Sequence, residues 1–169
     1  MSLGDIAAPR FGVKQIVRNA VSALEGRREG KHAKGVAAYG AWKNALLNAS
    51  EQDFAIMPDW GQSIAMMCQS DATDCLIDGR KNAHLYFKRL SEENPDQHLY
   101  SKIAEQFGII ASVVHAKIYK LLGGHERGPE QEKALAAPET RRQIAECIDE
   151  MKAADENALA LMKELSAVI

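Results

Sequence analysis

From Pro138 to Val168 the apolar residues return at helical spacing without interruption. Ile144, Cys147, Ile148, Met151, Ala158, Met162 and Leu165 fall on one face. A strand cannot bury such a stripe, because its side chains alternate with period two. The stripe requires one long amphipathic helix and other helices to cover it. Pro138 suits the first helical turn and Glu139 suits its positive dipole end. Ala136 and Ala137 offer no side-chain cap, so the start is soft.

The rest of the chain repeats this pattern. Val13, Ile16, Val17, Ala20, Val21 and Leu24 predict a helix over Arg10 to Glu25, with Gly26 as its stop. The glycine-rich, charged stretch "GRREGKHAKG" then reads as a loop. A second helix is expected over Lys34 to Asn48, where Ala38, Trp42, Ala45 and Leu46 share a face and Tyr39 borders it. A third is expected over Trp60 to Glu93, in two registers. Trp60, Ile64, Met67, Cys68 and Asp71 set one; Cys75, Leu76, Gly79, Ala83, Phe87 and Leu90 set the other, with a break or bend near Asp71 to Asp74. "ENPDQ" ends it, because the residue before Pro95 is pushed out of the α region. Leu99, Ile103, Phe107, Ile110, Val114, Ile118 and Leu121 predict a fourth over Asp96 to Leu122, ended by "GGHERGP". A short helical piece precedes the last helix. Val, Ile and Thr show no strand-like alternation, so no strand is expected. The fold class is therefore all-α, an antiparallel bundle of five to six helices in one domain.

Bulk properties narrow the function. The chain has 169 residues and a net charge of -2. It lacks the basic stripe that nucleic acid requires, so no nucleic-acid partner is expected. The least charged stretch, Phe54 to Ser70, is interrupted by Asp59 and carries Gln, Ser and Pro, so no membrane span is expected. "MSLGDIAAPRFG" lacks the apolar core of a signal peptide, and the three cysteines form no CxxC pair. A cytoplasmic protein with reduced thiols follows. "MSLG" reads as an artificial start, and the chain as a domain cut from a longer protein.

No motif names a reaction. There is no GxSxG, P-loop or strand-borne GxGxxG. A ferritin-like di-iron site needs two Glu-x-x-His motifs on inward faces and two further glutamates. This chain has one match, Glu29 to His32, in a glycine-rich loop. His84 and His115 lie on different long helices and could meet, although surface histidines are the ordinary reading. No metal and no cofactor is expected. Cys68, Cys75 and Cys147 sit among apolar neighbours, where helical cysteine is usually a small buried hydrophobe. The polar residues of "DCLIDGRKNAHLYFKRL" carry more information. Arg80, Ala83 and Phe87 share a face, and a buried arginine there needs a carboxylate. Glu156, halfway along the last helix, is the expected partner. The pair is either a structural tie or a fork that holds a carboxylate or phosphate ligand. Trp42 is expected in the core, and Tyr39, whose hydroxyl needs a partner, in a pocket wall.

In order, "GVAAYGAWKNALLN", "CLIDGRKNAHLYFKRL", "YSKIAEQFGIIASVVHAKIYKLL" and "TRRQIAECIDEMKAADENALALMKEL" form a pattern. It resembles the C-terminal helical region of proteins related to butirosin biosynthesis protein H and to papain-like cysteine peptidase folds. Gly35, Ala38, Tyr39, Trp42 and Leu46 carry its first motif, Arg80, Ala83, Tyr86 and Phe87 its second, and Glu156 its third, over residues 10 to 167. The resemblance implies a helical fold and a cleft shared by Tyr39, Trp42, Arg80 and Glu156. Relatives that do chemistry carry a papain-like domain with a nucleophilic cysteine ahead of this region, and nothing in this chain resembles it. The expected partners are then a papain-like catalytic domain, a second copy of the chain, or a small molecule.

Two readings follow. One is an accessory domain that binds a ligand or partner and has no chemistry of its own. The other is a stand-alone enzyme or small-ligand bundle with a buried polar site, built from Tyr39, Trp42, Arg80, His84, His115 and Glu156. Convergence of three or more of these groups on one cavity favours a site, and scatter favours the accessory domain.

Overall fold

The computed structural model describes residues 11–26, 33–126 and 128–169. Its helices are α1 (Val13–Glu25), α2 (Ala37–Leu47), α3 (Ile64–Glu93), α4 (His98–Val113), α5 (Tyr119–Leu121), α6 (Pro129–Ala136) and α7 (Pro138–Val168). A π-helical turn, Val114–Ile118, joins α4 to α5 without a break in the rod. The protein is an all-α bundle, as the apolar stripes require. None of the described helices is long and apolar enough to cross a membrane.

The long α7 organises the rest. Ile144, Ile148, Met151, Ala158, Met162 and Leu165 on its inner face are fully buried. Cross-helix pairs fix the directions of its neighbours. Lys117 meets Glu150 and Asn157 meets Gln106, so α4 and its extension run antiparallel to α7. Lys43 meets Asp149 and Tyr39 meets Asp155, so α2 does too. Glu25 pairs with Lys163 and Lys14 donates to the Ile169 carbonyl, so α1 runs in the same direction further along α7. Thus α1 and α2 follow one another along a single side of α7. The remaining long helix, α3, packs on α4 as an antiparallel hairpin around Phe87, Tyr100 and Phe107, with ring centroids 6.0 and 6.4 Å apart.

The α1–α2 junction depends on two glycines. Gly26 (φ 53°) and Gly35 (φ 59°) are both left-handed, and the Val36 N–H donates to the Leu24 carbonyl at 2.9 Å. A Cβ on Gly26 would lie 2.1 Å from the Lys34 carbonyl oxygen, and one on Gly35 2.2 Å from that of Leu24. No other residue type fits this crossing. The expected loop residues 27–32, including Glu29 and His32, lie outside the described residues, as do Arg10 and the opening "MSLG".

Four expectations change. A two-stranded hairpin, β1 (Ile56–Met57) paired with β2 (Gln62–Ser63), precedes α3 where no strand was expected. Trp60 lies in its turn, 63% exposed, rather than in a helix. No break occurs between Asp71 and Asp74: α3 is continuous there, and the Thr73 hydroxyl donates to the Gln69 and Ser70 carbonyls. The register of the first half of α3 also differs. Met66, Gln69, Ser70 and Thr73 face inward, while Ile64 and Cys68 are exposed. The α3 start is held instead by Ser63, whose N–H and hydroxyl donate to the Glu132 carboxylate of α6 at 2.7 and 2.6 Å. The uncapped start of α7 is stiffened by Arg141, whose Nη1 donates to the Ala136 carbonyl at 2.6 Å.

Gly35→Ala is expected to destabilise the protein by about 2 kcal/mol or more, since it combines a left-handed residue with backbone overlap. Gly12→Ala, whose Cβ meets nothing within 4 Å, serves as the control in chemical denaturation.

Candidate functional site

Because α1 and α2 lie on one side of α7 and α3 lies beyond α4, the bundle is open between α2 and α3. The opening is a groove of about 710 Å³. Its walls are largely apolar: Ile16 and Ala20 of α1, Ala38 and Trp42 of α2, Leu76 and Ala83 of α3. Tyr39, Arg80, Phe87 and Phe107 also line it.

A buried ion pair closes its base. Asp155 of α7 is fully buried and Arg80 is a quarter exposed. Arg80 donates from Nε to both carboxylate oxygens, at 2.8 and 3.1 Å, and from Nη2 to Oδ2 at 2.6 Å. The Tyr39 hydroxyl donates to Oδ2 at 2.8 Å. Burial alone would lower the Arg80 pKa, but the hydrogen bonds and charge of Asp155 outweigh it and hold the guanidinium above its ordinary value. Burial first, and then the Asp155 charge, raises the Tyr39 phenol far above the usual tyrosine range. The base of the groove is therefore neutral overall, with Arg80 Nη1 left outside the fork. The Arg80 guanidinium also stands 5.8 Å from the Phe107 ring centroid.

The expected partner of Arg80, Glu156, is not the one observed. One residue is a 100° step on a helix, so Asp155 faces inward while Glu156 is exposed and pairs with Lys152 at 3.5 Å. The signal that marks Asp155 is its place on the stripe, four residues after Met151 and three before Ala158. His84 is not in the groove either. Its Nδ1–H donates to the Ala104 carbonyl at 2.8 Å, and its ring is seated against Gly108, so it ties α3 to α4. His115 is exposed on the π-turn, with its ring against Tyr119. Tyr39, Trp42 and Arg80 do meet on one cavity.

Tyr39 stands in the pocket wall with its hydroxyl partnered, as expected, whereas Trp42 is not a fully buried core residue. Tyr39 is 4% exposed and belongs to the core as well as the groove. Trp42 is only partly buried and stands between the large groove and a second cavity of about 380 Å³. Its indole N–H donates to Gln69 Oε1 at 3.0 Å.

The cysteines also divide. Cys68 and Cys75 are exposed, contrary to expectation, while Cys147 is buried. Burial raises the Cys147 thiol above its ordinary value, despite nearby Lys117. Among the described residues no group of three His, Cys, Asp or Glu side chains could hold a metal ion.

Arg80→Met is expected to cost about 3–5 kcal/mol, because it strands a buried carboxylate, and Arg80→Met with Asp155→Leu should recover most of that loss in urea denaturation. Tyr39 keeps its proton in the folded state, whereas an unfolded tyrosine ionises near pH 10. Its contribution to stability is complete below about pH 10 and declines as pH rises further, so Tyr39→Phe should flatten the alkaline fall in stability. At pH 8 a thiol reagent should label Cys68 and Cys75 rapidly and Cys147 only on unfolding. No family model, curated protein or solved structure matches the chain.

Proposed function

We propose that the chain is a helical ligand-binding domain whose large groove takes a mainly apolar small molecule. The observation that carries this reading is the open, largely apolar groove itself, and the first half of α3 accords with it. Ile64, Cys68 and Cys75 are turned to solvent-facing cavities, while Gln69, Ser70 and Thr73 are buried. Folding alone favours the opposite arrangement. The ion pair sets the ligand's character. Asp155 already neutralises Arg80, so a carboxylate or phosphate gains no free counter-charge, and the fork expected for an anion is occupied. One edge, Nη1, remains for a single hydrogen-bond acceptor such as a carbonyl. The domain then binds rather than catalyses, since Tyr39 holds its proton tightly and His84 is tied to a backbone carbonyl.

The resemblance to the helical region of butirosin biosynthesis protein H relatives fits a domain that presents an acyl or peptidyl group to a papain-like partner. The partner-docking reading is favoured by another observation. Ile56 (53% exposed) and Trp60 (63%) lie on the hairpin, and Ile64 (46%) follows it. Such neighbouring exposed apolar residues are a common mark of a docking face.

Nile red, a neutral apolar dye with one carbonyl, should bind saturably with a blue-shifted emission and protect Cys75 from alkylation. Ala83→Trp, which fills the groove, should abolish both effects while circular dichroism stays helical. Unchanged dye binding in the folded variant would remove the groove from the reading. Trp60→Ser should leave dye binding intact.

A further inference from the structure

The large groove is elongated. From Ala72 to Phe87 its α3 wall advances fifteen residues, about 22 Å at the helical rise. A compact pocket of the same 710 Å³ would be only about 11 Å across. Helix directions order the facing wall. Because α3 runs parallel to α7 and α1 and α2 run against it, Trp42 stands at the Ala72 end, where its indole reaches Gln69, and Ile16 stands at the Phe87 end. Both ends are apolar. Trp42, Ala72 and Leu76 line one, and Ile16, Ala20 and Phe87 the other. The charged and amide side chains of the lining, Arg80 and Asn82, stand between them. Arg80 is eight residues from Ala72 and seven from Phe87, about 12 and 10 Å along the axis. It is a quarter exposed, and Asp155 occupies its Nε and Nη2. Its Nη1 is not among the buried unpaired atoms of the described residues, so that N–H edge is open to solvent.

Resting on the groove reading above, we propose that the ligand is an unbranched lipid chain with one uncharged carbonyl in its interior, such as an ester or secondary amide of two alkyl chains. The carbonyl oxygen accepts from Arg80 Nη1 at the middle of the groove. The two alkyl arms lie along the apolar ends. At roughly 1.25 Å per methylene, set by the C–C bond length and tetrahedral angle, each end takes about eight or nine carbons. A compact molecule would leave about half of the apolar wall in water. A carboxylate or phosphate gains nothing at the midpoint, because Asp155 already neutralises Arg80.

The test is displacement of Nile red from the full chain by neutral ketones, each kept below its solubility limit. 7-Tridecanone carries its carbonyl at the centre of its chain. It should compete about tenfold better than 5-nonanone, whose arms are each two carbons shorter and bury less surface. Its isomer 2-tridecanone should compete about tenfold more weakly than 7-tridecanone. With its carbonyl at Arg80, one arm overruns the groove and the other end stays empty. 1-Adamantyl methyl ketone, of similar carbon count but compact, should also be about tenfold weaker. Arg80→Met combined with Asp155→Leu should bring the two tridecanones to equal affinity. If that variant does not fold, the wild-type comparison of the isomers decides the matter. Absence of Nile red binding would remove the groove reading and this inference together. Nile red binding with equal competition by the two isomers, or by the adamantyl ketone and 7-tridecanone, would overturn the inference and leave the groove reading intact. So would the lack of any gain from nine to thirteen carbons.

Discussion

The carboxylate of Asp155 sits at the junction of three helices. It lies on α7, accepts from Arg80 of α3 and from Tyr39 of α2, and has no exposure to water. A buried charge is tolerated only where its hydrogen bonds are supplied, so the positions of α2 and α3 relative to α7 are coupled through this one group. An apolar side chain in its place could be equally stable, but it would not dictate where the two helices stand. Here the fork fixes Arg80 at the base of the groove, with the Phe107 ring beside it.

The groove exists because α1 and α2 occupy the same side of α7 in succession. The Gly26–Gly35 crossing lets the chain leave one helix and resume in the same direction, and the bundle is left open opposite α3. Small residues at Ala20, Ala38 and Ala83 then leave space that larger ones would fill. Trp42, bonded to Gln69, stands between the groove and the second cavity, and both are mainly apolar. The larger has a neutral base, and Asp53 lines the smaller.

Helix periodicity was legible because burial of an apolar stripe leaves a direct trace in residue order. The last helix falls on Pro138–Val168 as its stripe requires, and the fourth runs through to Leu121 despite its π-turn. The hairpin before α3 was not legible. Its two ladder pairs, Ile56 with Ser63 and Met57 with Gln62, are too short to show alternation. The start of α3 was read in the wrong register because apolar residues were assumed to face inward, and there they line cavities.

The sequence by itself determined the helical class, the stop at Gly26, the core face of α7 and the need of Arg80 for a carboxylate, since each follows from local spacing or from the chemistry of one side chain. Only the tertiary structure decided which carboxylate answers Arg80. Asp155 and Glu156 are chemically alike and adjacent, and a 100° turn of the helix puts one in the core and the other in water. The same is true of His84 and His115, whose partners lie on other helices or in solvent, and of Gln69, whose orphaned amide appears only once Trp42 is placed against it.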